Sequence, residues 1–289
     1  MKTRSWLVVP AVAALLGAAC QSAHTQPSQK PQVIPVPQDE AAKGAGYTSP
    51  AQGDPVPAMQ APTPDATSGT NRPSYNWCNV EGPYIALTFD DGPHATLTPK
   101  LLDTLKEKGV KVTFFVLGEC VTANPAVLRR AADEGHEIGN HSWDHKALTK
   151  SGGAGVASEI NQTNAAIENA TGKKTKLVRP PYGATNAAIT RRLNEEFGLK
   201  VIMWDVDPLD WKVRNSAHVK DEILKSTKPG SIVLAHDIHP TTVEAMAGTI
   251  DALKEKGFQF VTVSELIAMD RPLPPPTPPP PAPATKKEK

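Results

Sequence analysis

The chain has 289 residues, a formal net charge of +1 and 39% hydrophobic residues. That length holds one domain of about 200 residues with appendages, or two small domains. A near-neutral balance supplies no field for nucleic acid or an anionic membrane surface, so neither is expected as a partner.

The 29 prolines are unevenly placed, and 20 of them lie outside residues 75–270. The middle therefore reads as an ordinary globular domain between proline-rich segments. Lys2 and Arg4 precede an apolar run from Trp6 to Leu16, and Gly17, Ala18 and Ala19 lead to Cys20. Residues 1–20 have the pattern of a signal peptide, too short to span a bilayer as a permanent helix. Cys20 after small residues resembles a bacterial lipoprotein box, although Gly17 stands where that pattern has Leu. Lipid on Cys20 would add an anchor; ordinary cleavage near the same place is the alternative. Either way the chain is expected to be exported to the cell envelope, in the periplasm or at the cell surface, and to touch membrane only through such an anchor.

Residues 21–74 are rich in Pro, Gln, Ala, Thr, Gly and Ser without apolar periodicity, and predict a semi-extended, disordered tether. Residues 271–289 predict a disordered proline-rich tail that ends in lysines. If Cys20 carries lipid, Cys78 and Cys120 remain in an exported domain, and a disulfide between them is expected. Two buried thiols are the alternative.

Between the flanks the pattern alternates. Strands are predicted at Tyr84–Phe89, Lys111–Leu117, Glu137–Asn140, Thr175–Val178, Leu199–Asp205, Ser231–Ala235 and Phe258–Val263. Leu97, Leu101, Leu102 and Leu105 share one helical face before Gly109, and Val127, Leu128 and Ala131 share another before Gly135. Further helices are predicted at Ala154–Ala170, Asn186–Glu196, Ser216–Ser226 and Val243–Lys256. Repeated βα units imply parallel strands with helices outside. Seven such strands predict an α/β fold, an open (β/α)7-type barrel, and the protein is expected to be a monomer.

In such barrels chemistry sits at the C-terminal strand ends. The first strand delivers Asp90 and Asp91 into a Gly92-Pro93 turn. Adjacent residues leaving a strand point in different directions, so one carboxylate can bind a cation while its neighbour faces a substrate. The third delivers His141 and then His145. The fourth delivers Arg179 and Tyr182. The fifth delivers Asp205 and Asp207, then Asp210 and Trp211, and the sixth delivers His236 and Asp237. Two histidines at i and i+4 can share one face of a helical turn. With one carboxylate they make an open two-His, one-carboxylate site suited to zinc or a similar divalent ion.

These residues together resemble the NodB-homology polysaccharide deacetylases, carbohydrate esterase family 4. The matching motifs are Thr88–Pro93 (TFDDGP), His141–His145 (HSWDH), Arg179–Tyr182 (RPPY), Asp207–Trp211 (DPLDW) and Leu234–His236 (LAH), in the family's order. The resemblance covers about residues 80–270 and implies a distorted, open barrel that removes N-acetyl groups from a glycan. It implies a divalent metal, zinc first and cobalt or manganese otherwise, held by Asp91, His141 and His145. Asp90 would be the general base, held by Arg179. The backbone N–H of Tyr182 would serve the oxyanion, and His236, oriented by Asp210, would be the acid. Tyr182, Trp211 and Leu234 would line the substrate groove. An exported chain on a tether points to N-acetylglucosamine of peptidoglycan as the glycan. Chitin-like oligomers, poly-N-acetylglucosamine and xylan are the other substrates in view. A zinc peptidase and an inactive glycan-binding module are readings of a different class. The first leaves Asp90 and Asp91 unexplained; the second is disfavoured because every acid, base and metal position is filled.

Overall fold

A computed structural model describes residues 72–273. The leader with Cys20, most of the tether, and the tail from residue 274 lie outside the described residues. Eight strands form one sheet: β1 (Ser74–Tyr75), β2 (Tyr84–Asp90), β3 (Thr113–Val116), β4 (Glu137–Asn140), β5 (Leu177–Val178), β6 (Lys200–Ile202), β7 (Ile232–His236) and β8 (Gln259–Phe260). The order is β1-β6-β5-β4-β3-β2-β7, with β8 beside the start of β2, and every ladder is parallel. The helices are α1 (Leu97–Glu107), α2 (Gly118–Ala123), α3 (Pro125–Asp133), α4 (Gly152–Thr171), α5 (Ala187–Glu195), α6 (Ser216–Ser226), α7 (Pro240–Glu255) and α8 (Val263–Ala268). Among the described residues no helix is long and apolar enough to cross a membrane.

The period of two along a strand sorts the core. On β2, Ile85, Leu87 and Phe89 face outward into a cluster shared with Leu101 and Leu105 of α1 and Met246 and Ile250 of α7. Ala86 faces inward, with Phe115, Leu177, Ile202 and Ile232, onto Val263, Leu266 and Ile267 of α8. Helix α8 therefore plugs the bottom of the barrel. A third cluster packs Val156 and Ile160 of α4 on Val178 and Val201. Gly139 is required inside, because a Cβ there would lie 2.4 Å from the Phe115 ring.

The barrel is open. Strand β7 meets the β1–β6 side through isolated bridges, Trp77 to Ser231 and Val206 to Val233, in place of a continuous ladder. The carboxylate of Asp205 fills the gap, accepting from Ile232 N at 2.9 Å and Ser231 Oγ at 3.0 Å. A side chain here replaces missing ladder bonds, which buried backbone groups require. The two ends of the domain are clasped at the bottom. Arg72 pairs with Asp270 at 2.8 Å, and Asp270 also accepts from Asn79 N at 2.7 Å.

Three expectations change. The strand predicted over Phe258–Val263 is cut to Gln259–Phe260, because Thr262 and Glu265 form a reciprocal capping box that starts α8. The two-residue strand β1 is too short to show an alternation and begins one residue ahead of the predicted domain. Finally, Cys78 is a free, buried thiol, so the bridge to Cys120 is not formed. Cys78 is fixed at the bottom rim by its N–H to Gly230 O at 2.9 Å, whereas Cys120 lies in α2, beyond the top of β3. The four steps from Ala86 to Asp90 alone separate the rims by roughly 13 Å, and a disulfide needs Cα atoms within about 7 Å. Burial, with the Asp270 carboxylate nearby, pushes the Cys78 thiol up to about 12. Iodoacetamide at pH 8 should leave Cys78 unmodified in the native protein and alkylate it in urea. Rapid native labelling, read by peptide mass spectrometry, would contradict this burial.

Candidate active site

Strand parity places the first pair of groups. Asp90 closes β2 and His236 closes β7, and the two are register partners in adjacent parallel strands. Parallel neighbours share a face, so both side chains open on the top of the barrel interior. Arg179 follows β5 into the same interior and is fully buried. Its guanidinium donates to Asp90 Oδ1 and Thr88 Oγ1, both at 2.7 Å, and to Met203 O at 3.1 Å. Its plane lies 4.2 Å over the Phe115 ring. The other Asp90 oxygen lies 3.6 Å from His141 Nε2. Asp90 is thus clamped on one oxygen and open on the other.

Asp91 takes a left-handed conformation, φ 77°, and its carboxylate reaches the same His141 nitrogen that Asp90 faces. Its Oδ1 lies 3.4 Å from both His141 Nε2 and His145 Nε2. The histidines do not share a helical turn as their spacing suggested. Ser142 and His145 have φ of 71° and 64°, and the segment is an irregular loop. Buried carboxylate and amide groups hold it. Glu159 of α4 accepts from Trp143 N at 2.8 Å, and Asn140 Oδ1 accepts from Ser142 N at 2.7 Å. His141 Nδ1 donates to Arg179 O at 2.7 Å, which leaves the Nε2 lone pair facing Asp91 and His145.

Asp91 Oδ1 is buried without a hydrogen-bond partner, an orphan that folding alone would not leave. Ligand atoms of Asp91, His141 and His145 lie within 4.8 Å of one another, and the outer nitrogen of His141 is already committed to a carbonyl, as ligating histidines require. Burial works to raise the Asp91 carboxyl, but the surrounding imidazoles of His141, His236 and His145 hold it well below the ordinary range. The donor set fits a divalent ion.

Across the opening, Asp210 is fully buried. It accepts from His236 Nδ1 at 2.7 Å, His236 N at 2.8 Å and Thr242 Oγ1 at 2.7 Å. Burial opposes protonation of His236, but the Asp210 bond and charge, with Asp90 and Asp91, raise it to about 9. The imidazole therefore carries its proton at neutral pH and presents Nε2 to the cleft.

Tyr182 (71% exposed) and Trp211 (49% exposed) stand open at the rim. The Tyr182 ring lies 4.4 Å from that of His145, and its backbone is left-handed at φ 60°. Leu234 is buried one layer below His236, beside Thr88, so it floors the opening rather than walling it. Two strand-end carboxylates do not join the site: Asp205 seals the seam, and Asp207 accepts from Leu209 N in a surface turn. Asp237 also turns away. It is fully buried against Gly92, where a Cβ would lie 2.2 Å from its oxygen, and it accepts from Thr98 Oγ1. Burial pushes its carboxyl up to about 7. Sequence reasoning missed Thr88, Asn140, Glu159 and Thr242, which hold the site from behind; none carries a local signal of that role.

Comparisons agree with this geometry. Residues 79–202 match the family model described as polysaccharide deacetylase. The peptidoglycan-N-acetylglucosamine deacetylase PgdA of Listeria monocytogenes is 48% identical over 182 residues, covering 63% of this chain and 38% of its own. The peptidoglycan-N-acetylmuramic acid deacetylase PdaC of Bacillus subtilis is 43% identical, with the same coverage of 63% and 38%. The chain therefore spans well under half the length of these two curated relatives. A solved structure described as T48 deacetylase with substrate superposes with a TM-score of 0.62 at 43% identity, covering 65% of this chain and 92% of that one. A strand-end carboxylate pair, a histidine loop and an Asp-backed histidine on one parallel barrel thus coincide with a family match, and the chain belongs to the polysaccharide deacetylase family.

Proposed function

We propose that this protein hydrolyses the N-acetyl group of N-acetylglucosamine residues in peptidoglycan, in the cell envelope. The observation that carries the reading is the placement of two differently prepared groups side by side at one opening: Asp90 clamped by Arg179, and a proton-bearing His236 backed by Asp210. Amide hydrolysis needs both, because water must lose a proton and the amine must gain one. The relatives' names support peptidoglycan as the polymer, and PdaC makes N-acetylmuramic acid the second sugar to test. Export by the leader, with Cys20 as the lipid attachment point, fits a substrate of that kind.

Asp91, His141 and His145 would hold a divalent cation, zinc being the ion that two imidazoles and one carboxylate suit. When bound, it supplies Lewis-acid polarisation of the acetamide carbonyl and makes water easier to deprotonate. Asp90 takes the proton of the attacking water through the oxygen that Arg179 leaves open. The water oxygen adds to the acetamide carbon, and the backbone N–H of Tyr182 donates to the oxyanion that develops. His236 Nε2 then gives its proton to the nitrogen as the C–N bond breaks, releasing acetate and a glucosamine amine. Asp210 keeps His236 in the correct orientation throughout. Trp211 and Tyr182 border the sugar, and Leu234 lies beneath it.

Acetate release from purified peptidoglycan by the metal-loaded protein tests the activity directly. Asp90→Asn should lower kcat by about 10²–10⁴-fold with metal content unchanged by mass spectrometry. His141→Ala should lose both. Equal metal loss in the two variants would refute the division between base and ligand. Separate assay of muramic and glucosamine products decides between the two sugars. The pH profile gives a third check. His236 is raised by Asp210, so its acid form persists below about 9 and is lost as pH rises through that value. Asp210→Asn removes the cause, and the basic limb of kcat should move down towards the ordinary histidine range near 6.5. An unmoved basic limb would show that His236 is not the acid.

A further inference from the structure

Two neighbouring strands end in step. Asp90 closes β2 and His236 closes β7 as register partners, and Asp91 and Asp237 follow them. Alternation sends both of these next residues to the outer face of the sheet. Only Asp237 goes there. Its Oδ2 accepts from Thr98 Oγ1 of the outer helix α1, and that hydroxyl accepts from His94 N at 2.7 Å. Asp91 takes its left-handed turn instead and meets His141 and His145.

Asp237 also dictates its neighbour. A Cβ on Gly92 would lie 2.2 Å from Asp237 Oδ2, 2.5 Å from Oδ1 and 2.7 Å from Cγ. Gly92 is not among the glycines with left-handed backbone, so the carboxylate, not the backbone angle, excludes a side chain there. The other side of the turn is held by hydrogen bonds. Asp91 N donates to Phe115 O at 3.2 Å, Leu117 N to Gly92 O at 3.1 Å, and Asn124 Nδ2 to Pro93 O at 3.1 Å. On the β7 side the Asp237 carboxylate is the wall.

That wall is an odd choice for stability. Asp237 is fully buried, and its Oδ1 has no hydrogen-bond partner, a state that weakens a fold rather than strengthening it. Burial works against its ionised form, the Thr98 hydroxyl opposes that, and the charge of Asp91 adds to it. The two carboxylates therefore repel each other.

We propose that Asp237 is a positioning residue for Asp91. Its carboxylate fills the outer face beside the Gly92 peptide, bars Asp91 from the extended course that strand alternation offers, and so holds the Asp91 carboxylate towards His141 and His145. The proposal rests on the reading of Asp91, His141 and His145 as the groups that hold a divalent cation.

The full chain is stripped of metal and titrated with zinc against a chromogenic chelator, and the metal-free forms are melted. Asp237→Ala empties the outer face and should weaken zinc binding about 10–100-fold, the range for a group one step behind a ligand. Asp237→Asn keeps the volume and should restore most of that loss. Gly92→Ala should weaken zinc as well, and adding Asp237→Ala to it should recover affinity, because the colliding carboxylate is gone. Without metal, Asp237→Ala should melt within about 4 °C of the parent, since an unpartnered buried oxygen leaves with the one hydrogen bond. An Asp237→Ala chain that binds zinc as the parent does, yet melts well below it, only supports the fold and overturns the proposal. So does a double variant whose loss is the product of the two single losses. Undiminished zinc binding by Gly92→Ala overturns it even if Asp237→Ala does not fold. A parent that takes up no zinc overturns the cation site and this inference together, whereas a parent that binds zinc no better than its variants overturns the inference alone.

Discussion

The buried ion pair between Arg179 and Asp90 is the constraint from which the rest of the site follows. Taking both charges out of water is expensive, and the cost is offset only where geometry and further hydrogen bonds are good. Here they are: the guanidinium also satisfies Thr88 Oγ1 and Met203 O, and stacks on Phe115. Losing one partner of such a pair typically costs about 3–5 kcal/mol, so the barrel interior is committed to keeping Asp90 fixed. The same arginine acts a second time through its backbone. Its carbonyl holds His141 Nδ1 and so orients the imidazole towards Asp91. One residue thereby aligns Asp90 with the Asp91, His141 and His145 group, and the two halves of the site cannot drift independently.

Strand parity does the second part of the work. Because parallel neighbours in register share a face, Asp90 on β2 and His236 on β7 need no special device to meet at the same level. What needs a device is bringing Asp91, the very next residue, to the same opening, because strand alternation alone would send it to the other face. The left-handed turn at Asp91 does this, and Ser142, His145 and Tyr182 repeat it around the rim. Each such conformation costs of order 1–3 kcal/mol and lasts only where its surroundings over-determine it. Glu159 and Asn140 supply that over-determination for the histidine loop.

Legibility in the sequence tracks this division. The strands β2 and β4 and the helix α6 are readable almost to the residue, because their apolar periods are long or sharply bounded by turn residues. The residues that meet at the rim are readable too, since the strand ends announce them. Their geometry is not. The His-x-x-x-His spacing suggests a helical face, and only the positive φ at Ser142 and His145 shows a loop instead. Asp205 reads like another rim carboxylate, yet it is spent on the barrel seam, a role visible only once β7 is placed beside it. Helix α8 was within reach, because Thr262-x-x-Glu265 is a capping-box pattern. The cysteines mislead because residue counting carries no distance, and a barrel's height lies between Cys78 and Cys120.

The clasp between Arg72 and Asp270 has a mechanical meaning. A pull applied at residue 72 meets first a charged pair and the amide of Asn79, which tie it to the far end of the domain. Such a load is shared between the two termini at the bottom rim and runs into α8, the plug. It does not run along β2 towards Asp90. The clasp thus takes up load on the two ends of the domain at the rim opposite the site.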